Sequence, residues 1–423
     1  MMLFYQLLLI ITHALLLGAI VTVFGWNGRN IYQRFLNPGC WIAVFFVLWF
    51  WIPEIVIVSY GNVVIGYPEA TPTLVLHSQL YLAAFLISLL VGAVLIRCLI
   101  PLSSRNKRFP SRELSGIDYQ ILIAFYLVGL VSTMYLGRTL MTSEGFRSEL
   151  LKSPDGKIAT MLGYFGMFAM AVLGGHMLAT RRLMLALLVF GCYGAAIFFT
   201  GARGRILWPT ALAIAYSWCH INRIRTAQIA AFAVVGISLL LIFDPLFIVL
   251  REGTRHFSID KVWERIEFAD LYLTDRNFDG FANFTLISTR DLVPHSASIA
   301  IQGARAPFME TYFPGILERG VSFGTTVPGL FWMAGGFYGL VLGGLGYGAF
   351  LGALGLWATR IRHEPLVWSY LFAITWLAAI GGEFIEGLDK MAAMAAPGVI
   401  WWALSPRSDL TSDADSHSRG EGK

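Results

Sequence analysis

Uninterrupted apolar runs of about 20 residues, each long enough to cross the hydrocarbon core of a bilayer as a helix, recur along the whole chain. They lie at roughly 3–24, 39–60, 74–96, 118–137, 158–179, 183–200, 206–221, 227–249, 329–358, 366–382 and 391–404, about eleven in all. Composition agrees with this reading. Of the 423 residues, 57% are hydrophobic and 13% charged, against about half and about a quarter in an ordinary soluble domain. No single water-soluble core hides that much apolar surface, which excludes a cytosolic enzyme and a disordered chain. The net charge of +5 is spread in short clusters between the apolar runs, so it is not a nucleic-acid footprint. The runs are continuous rather than alternating, which excludes an outer-membrane barrel. The expected fold class is all-α: a polytopic integral membrane helical bundle of about eleven transmembrane helices with one large external loop.

Residues 1–24 read as the first span rather than a signal peptide. No Lys or Arg precedes the run and no A-x-A-like site follows it. Cys40, Cys98, Cys192 and Cys219 fall within or at the ends of apolar runs, with no CxxC or Cys/His spacing. Neither a disulfide framework nor a zinc site is expected. Basic residues set the orientation. Arg29 and Arg34, then Arg97, Arg105, Lys107, Arg108 and Arg112, then Arg181 and Arg182, Arg223 and Arg225, and Arg360 and Arg362 occupy every second loop. Those loops are expected to be cytoplasmic, with the N-terminus outside and the C-terminus inside. Residues 1–250 then form the first eight spans, 251–328 a large external loop, 329–404 the last spans, and 405–423 a polar, disordered cytoplasmic tail.

Loops as long as 251–328 are usually functional or disordered. This one is rich in aromatic residues, including Trp263, Phe268, Tyr272, Phe281, Phe284, Phe308, Tyr312 and Phe323. Ile259, Val262, Trp263 and Ile266 share one helical face behind Ser258 as N-cap, so a short surface helix is expected over 258–270. The loop either packs over the bundle as scaffold or forms part of a substrate site.

Residues 200–205, Thr-Gly-Ala-Arg-Gly-Arg, form a tight external turn that breaks the charge rule. An arginine inside the bilayer costs at least about 2.5–3.5 kcal/mol. A helix N-terminus starts at the same place, so free N–H groups, two glycines and two guanidinium forks make an anion site. Arg203 and Arg205 are its candidate ligands, and a lipid-linked phosphate or diphosphate is the natural anion at a membrane surface. Alternatively, these arginines only snorkel to headgroups. Arg138, Arg147, Arg251, Arg255, Arg290, Arg305 and Arg319 face the same side, and Arg251 and Arg255 sit where span eight exits.

Titratable groups in or beside spans are functional candidates by default. Glu54 and Asp244 lie beside prolines in the outer parts of their spans, and His77 lies near the outer end of span three. Glu383 and Glu386 stand one helical turn apart; such a pair can supply a general base or a sugar-hydroxyl clamp, or simply an ion pair. His295, in Pro-His-Ser, is a further base candidate, whereas His13 and His176 read as satisfied packing residues. Gly335, Gly339 and Gly343, and Gly344, Gly348 and Gly352, repeat at i+4. That is a helix-packing ladder inside a span, not a nucleotide loop. HExxH, G-x-S-x-G and Walker motifs do not occur in the chain.

The mid-chain turn FFTGARGRIL, the large late loop, and TTVPGLFWMAGGFYGLVLGGLGYGAFLG over 325–352 together resemble the bacterial oligosaccharide repeat unit polymerases, the Wzy-type O-antigen polymerases. That family has a small-residue-Arg-Gly turn in mid-chain and a Gly-rich helix after its large periplasmic loop. Ala334-Gly335-Gly336 stands here where Asn-Phe-Gly is commonest, so the match is partial. It covers the general layout of most of the chain but specific residues in only about 40 positions.

The resemblance implies a metal-independent inverting glycosyltransferase without cofactor, in the bacterial inner membrane. Both donor and acceptor would be undecaprenyl-diphosphate-linked glycans, polymerised at the outer face into O-antigen, capsule or exopolysaccharide. Arg203 and Arg205 would hold one diphosphate. Arg251, Arg255, Arg290 and Arg305 would hold the second or the glycan. Glu383, Glu386, Asp244 or His295 would assist the attacking hydroxyl. Fixed arginines stabilise a leaving diphosphate as its charge develops. A chain-length regulator and a flippase are the partners the resemblance suggests; no nucleic acid is expected. An O-antigen ligase shares this layout and differs in acceptor. A transporter of lipid-linked sugars would show inverted repeats and midplane polar residues, and no internal repeat is visible. A scaffold subunit is the least specific alternative.

Overall fold

In the computed structural model, the described residues are 1–25, 36–59, 61, 71–100, 114–142, 153–198, 200, 204–221, 260, 280–314, 325–358, 360–361, 363–378 and 388–405. Their secondary structure is helical throughout, with turns and no strand. The helices are α1 (Met2–Gly25), α2 (Pro38–Ser59, passing through a π-helical turn at Val47–Trp51), α3 (Pro72–Leu99), α4 (Gly116–Thr142), α5 (Pro154–Ala179) and α6 (Leu183–Phe198). They continue with α7 (Gly204–Ile221), α8 (Gly280–Arg290), α9 (Ile299–Gln302), α10 (Arg305–Tyr312), α11 (Val327–Ala358), α12 (Glu364–Leu377) and α13 (Leu388–Leu404).

Six of these, α1 to α5 and α11, contain stretches long and apolar enough to cross a membrane, and two shorter apolar helices lie at Leu183–Ile197 and Met391–Leu404. The protein is membrane-embedded. Leu7, Leu8, Ile11 and Leu15 on α1 are exposed, a row of large aliphatic side chains that only lipid covers at low cost. Of the remaining expected spans, 206–221 and 366–382 coincide with the shorter helices α7 and α12. Residues 227–249 lie outside the described residues, as does most of the expected surface helix at 258–270.

The starts of the helices follow from local chemistry. α2, α3 and α5 each open on a cap–proline pair: Asn37-Pro38, Thr71-Pro72 and Ser153-Pro154. In each, the cap side chain accepts a backbone N–H from the first turn, and the proline occupies a position where its missing donor is not needed. α4 opens on a capping box, with Asp118 bonding back to the Ser115 N–H and hydroxyl while Ser115 Oγ receives the Asp118 N–H.

α1, α3 and α11 run parallel. Gln6 on α1 reaches the Pro72 carbonyl at the start of α3, and Arg97 near the end of α3 reaches Phe24 O near the end of α1. The end at which these three helices begin is called the upper end below. Gly344, Gly348 and Gly352 of α11 lie along Phe85, Leu89 and Ile96 of α3, and Gly92 of α3 lies against the Leu345 carbonyl. This row of the glycine ladder packs helix on helix as its spacing suggests. The other row does not. Gly336 has φ 59° and ψ −144°, so α11 breaks there into two segments. The Phe331 ring of the first segment folds onto Gly343 of the second.

The segment expected to be a loop contributes a helix to the interior. Every residue of α8 from Gly280 to Ser288 is buried. Gly280 has no side chain to hold it away from the Trp49 carbonyl, which a Cβ would meet at 2.7 Å. Ile287 packs on Gly329, and Ser288 Oγ lies 3.4 Å from Ser78 Oγ on α3. α8 therefore sits inside the bundle between α2, α3 and α11, not over it.

Candidate functional site

α8 ends at Arg290, and the chain turns over the break in α11. Asp291 takes a left-handed conformation, φ 48°, which ends the helix. The Leu292 N–H donates to Tyr312 Oη at 3.1 Å, and the Ser296 N–H donates to the Met333 carbonyl at 3.2 Å. These two anchors fix the intervening Pro294 and His295 against α10 and α11.

His295 Nε2 then lies 3.3 Å from Asp291 Oδ2, and the Trp332 indole N–H donates to Asp291 Oδ1 at 3.1 Å. Trp332 is buried at 6% exposure, whereas the His295 and Asp291 side chains are 37% and 48% exposed. A carboxylate held from behind by an indole faces the imidazole in front. Nε2 is the ring nitrogen turned towards Asp291, which leaves Nδ1 on the other side of the ring. That arrangement suits a general base that must reach solvent or a substrate hydroxyl. Gly336, at the break in α11, provides the room for the ring, since a Cβ there would stand 3.1 Å from His295 Nε2.

Aromatic side chains continue from this pair. The Tyr81 ring lies 4.5 Å from Trp332 and 6.1 Å from Phe337, with His77 at 6.4 Å from Tyr81. Phe337 and Tyr338 are exposed. Arg290, adjoining Asp291, is exposed at the end of α8, and Arg305 is partly exposed at the first position of α10. Burial raises the Tyr312 hydroxyl above its ordinary pKa; the Asp291 charge adds to this, while the Leu292 hydrogen bond and the Arg290 charge oppose it. Tyr312 thus stays a neutral acceptor for the loop.

Of the residues expected from sequence, His295, Arg290 and Arg305 belong to this upper-end segment. Arg205 lies in the first turn of α7, with its side chain outside the described residues, and Arg203, Asp244, Arg251, Arg255, Glu383 and Glu386 all lie outside them. Asp291, Trp332 and Tyr81 were not anticipated. An acidic residue four positions before a histidine, with Pro294 between them forbidding a continuous helix, was the available signal for Asp291. Nothing local marked Trp332 or Tyr81 among so many aromatics.

A second polar cluster lies deeper. His13 on α1, Glu54 on α2 and Gln79 on α3 are each 0% exposed. His13 Nδ1 is 2.9 Å from Glu54 Oε2, His13 Nε2 is 3.1 Å from the Gln79 carbonyl, and Gln79 Nε2 donates to Glu54 Oε1 at 2.7 Å. His13, expected as a packing residue with its polar atoms satisfied, is hydrogen-bonded at both ring nitrogens.

No protein-family model matches the chain, and no curated protein or solved structure matches it.

Proposed function

We propose that the protein polymerises undecaprenyl-diphosphate-linked oligosaccharide repeat units at the outer face of a bacterial inner membrane, as an inverting glycosyltransferase. The observation that carries this reading is the His295–Asp291 pair, clamped by Trp332 at the end of a membrane bundle. Its partly exposed imidazole suits removal of a proton from an attacking sugar hydroxyl. The partial likeness of the 200–205 turn and the 325–352 helix to Wzy-type polymerases supports the same reading. So does the charge rule, which puts the upper end outside.

In this mechanism a hydroxyl of one repeat unit gives its proton to His295 Nδ1 and attacks the anomeric carbon of the second glycan. The bond to the diphosphate oxygen breaks with inversion, and undecaprenyl diphosphate departs with the electron pair. Asp291 steadies the imidazolium that forms. The exposed Phe337, with the partly buried Tyr81 beside it, offers an apolar face to a sugar ring. Arg203 and Arg205 hold diphosphate in this scheme, and Arg290, adjoining Asp291, is a described cation beside the base.

The test is complementation of a strain lacking the chain with wild type, His295→Ala, Asp291→Asn and Arg203→Ala, with membrane abundance checked for each. Surface glycan reduced to single repeat units, in the deletion and in the variants alike, is the expected result. Long polymer that stays on undecaprenyl diphosphate would make the protein a ligase instead. Lipid-linked units trapped on the cytoplasmic side would make it a transporter.

A further inference from the structure

The hydrogen-bond geometry of the buried cluster determines its protons. The backbone carbonyl of Gln79 is an acceptor only, so His13 Nε2 must carry hydrogen. The Gln79 amide nitrogen is likewise fixed, because it faces both Glu54 Oε1 and the Gln6 carbonyl, at 2.7 and 3.3 Å. One hydrogen position is left, between His13 Nδ1 and Glu54 Oε2, 2.9 Å apart. With no proton there, two lone pairs would oppose one another in a site of 0% exposure. With two, two hydrogens would collide.

We propose that His13 and Glu54 form an intramembrane site for a single proton, shared between Nδ1 and Oε2. Written as imidazolium and carboxylate or as imidazole and carboxylic acid, the pair has no net charge. That neutrality is what lets it sit buried, where an uncompensated charge is costly. The site joins three helices whose partner residues are 41, 66 and 25 positions apart. It fixes the turn of α3 that carries Ser78 to α8 and Tyr81 to Trp332. On α1, α2, α3 and α8 the other described titratable side chains are Tyr5, Cys40, His77, Tyr81 and Arg290, with Arg97 and Cys98 at the lower end, and α11, packed on α3, adds Tyr338 and Tyr347. The hydrogen-bond partners of the pair are all on α1, α2 and α3.

The proton count predicts an opposed pH response in two chains. Free glutamate and histidine side chains titrate near about 4.3 and 6.5. Above about pH 7 the unfolded pair lacks the shared proton, so the folded wild type holds one more and loses stability as pH rises. Glu54→Gln makes the same contacts without a proton. Its amide N–H donates to Nδ1 and its carbonyl accepts from Gln79. That variant holds as many protons folded as unfolded above about pH 7, and loses stability only below about 6.5, where the unfolded histidine charges.

The experiment is equilibrium unfolding of the full chain in mild detergent titrated with dodecyl sulfate, for wild type and Glu54→Gln, from pH 5 to 9. Other titrating groups cancel in the comparison. Between pH 7.5 and 8.5 the wild-type folded-to-unfolded ratio is expected to fall by about tenfold relative to Glu54→Gln. From pH 6 down to pH 5 the Glu54→Gln ratio is expected to fall by about tenfold relative to wild type. A relative ratio that does not change with pH would overturn the proposal. So would a Glu54→Gln protein that fails to accumulate in the membrane, as Glu54→Ala should.

Discussion

Gly336 lies beneath the imidazole of His295: a Cβ added to this glycine would stand 3.1 Å from Nε2, and the residue's φ of 59° is one that side chains disfavour. The break in the longest of the described helices and the seat of the histidine are one feature. Gly336→Ala is therefore expected to destabilise the chain by about 1–2 kcal/mol and to displace His295 from Asp291. Gly335→Ala, at an extended backbone position with nothing within 4 Å of its Cβ, should be nearly silent. Thermal unfolding in detergent, together with the repeat-unit ladder, separates the two.

The contact between α3 and α11 depends on the absence of side chains at Gly92 and Gly348. A Cβ at either would run into the backbone of the opposite helix, at Leu345 O and Leu89 O respectively. Neither backbone can withdraw without moving its helix. Gly348→Val is expected to cost several kcal/mol by overpacking and to lower membrane abundance. Gly346→Ala, which meets nothing, should leave both unchanged. Immunoblotting of membranes across the pair checks this.

Asp118 ties the last helix to the fourth. Its Oδ1 accepts the Trp401 indole N–H at 2.9 Å and the Ser405 hydroxyl at 2.7 Å, while Oδ2 caps its own helix through Ser115. Hydrogen bonds to a charged acceptor contribute about 1.5–3 kcal/mol each. Asp118→Ala is expected to loosen α13 from α4, and Trp401→Phe to show part of the same effect. Protease sensitivity of the chain near residue 405 is the measurement.

The Tyr312 hydroxyl holds the loop that carries His295, and its pKa is raised chiefly by burial. The folded form therefore keeps its proton where the unfolded one loses it. The stability contributed by burying the neutral hydroxyl is present below about pH 10, the ordinary tyrosine value, and is lost as pH rises through the raised one, while the Leu292 hydrogen bond, which favours the phenolate, opposes that loss. Protection of the Leu292 amide, taken relative to its intrinsic exchange rate, should fall above about pH 10 in wild type as the buried hydroxyl is forced to ionise. Tyr312→Phe should exchange fast at all pH values.

What the sequence determined by itself was the membrane-embedded, all-helical character of the chain and where most helices begin. In lipid each backbone N–H and C=O must be satisfied within its own helix, so length, apolarity and cap–proline pairs such as Thr71-Pro72 suffice. The i+4 spacing of Gly344, Gly348 and Gly352 was legible for the same reason. What only the tertiary structure decided were relations between distant residues. α8 was read as part of a loop because its 11 residues are too few to span a bilayer; it is buried because α2, α3 and α11 leave room for it. His295 was legible as a candidate base, but its partner Asp291 and the Trp332 clamp arise from a left-handed turn and a helix break. Glu54 was legible as an acid in the outer part of a span. Its neutralisation by His13 depends on helices brought together across 41 residues, a distance over which periodicity and capping carry no information.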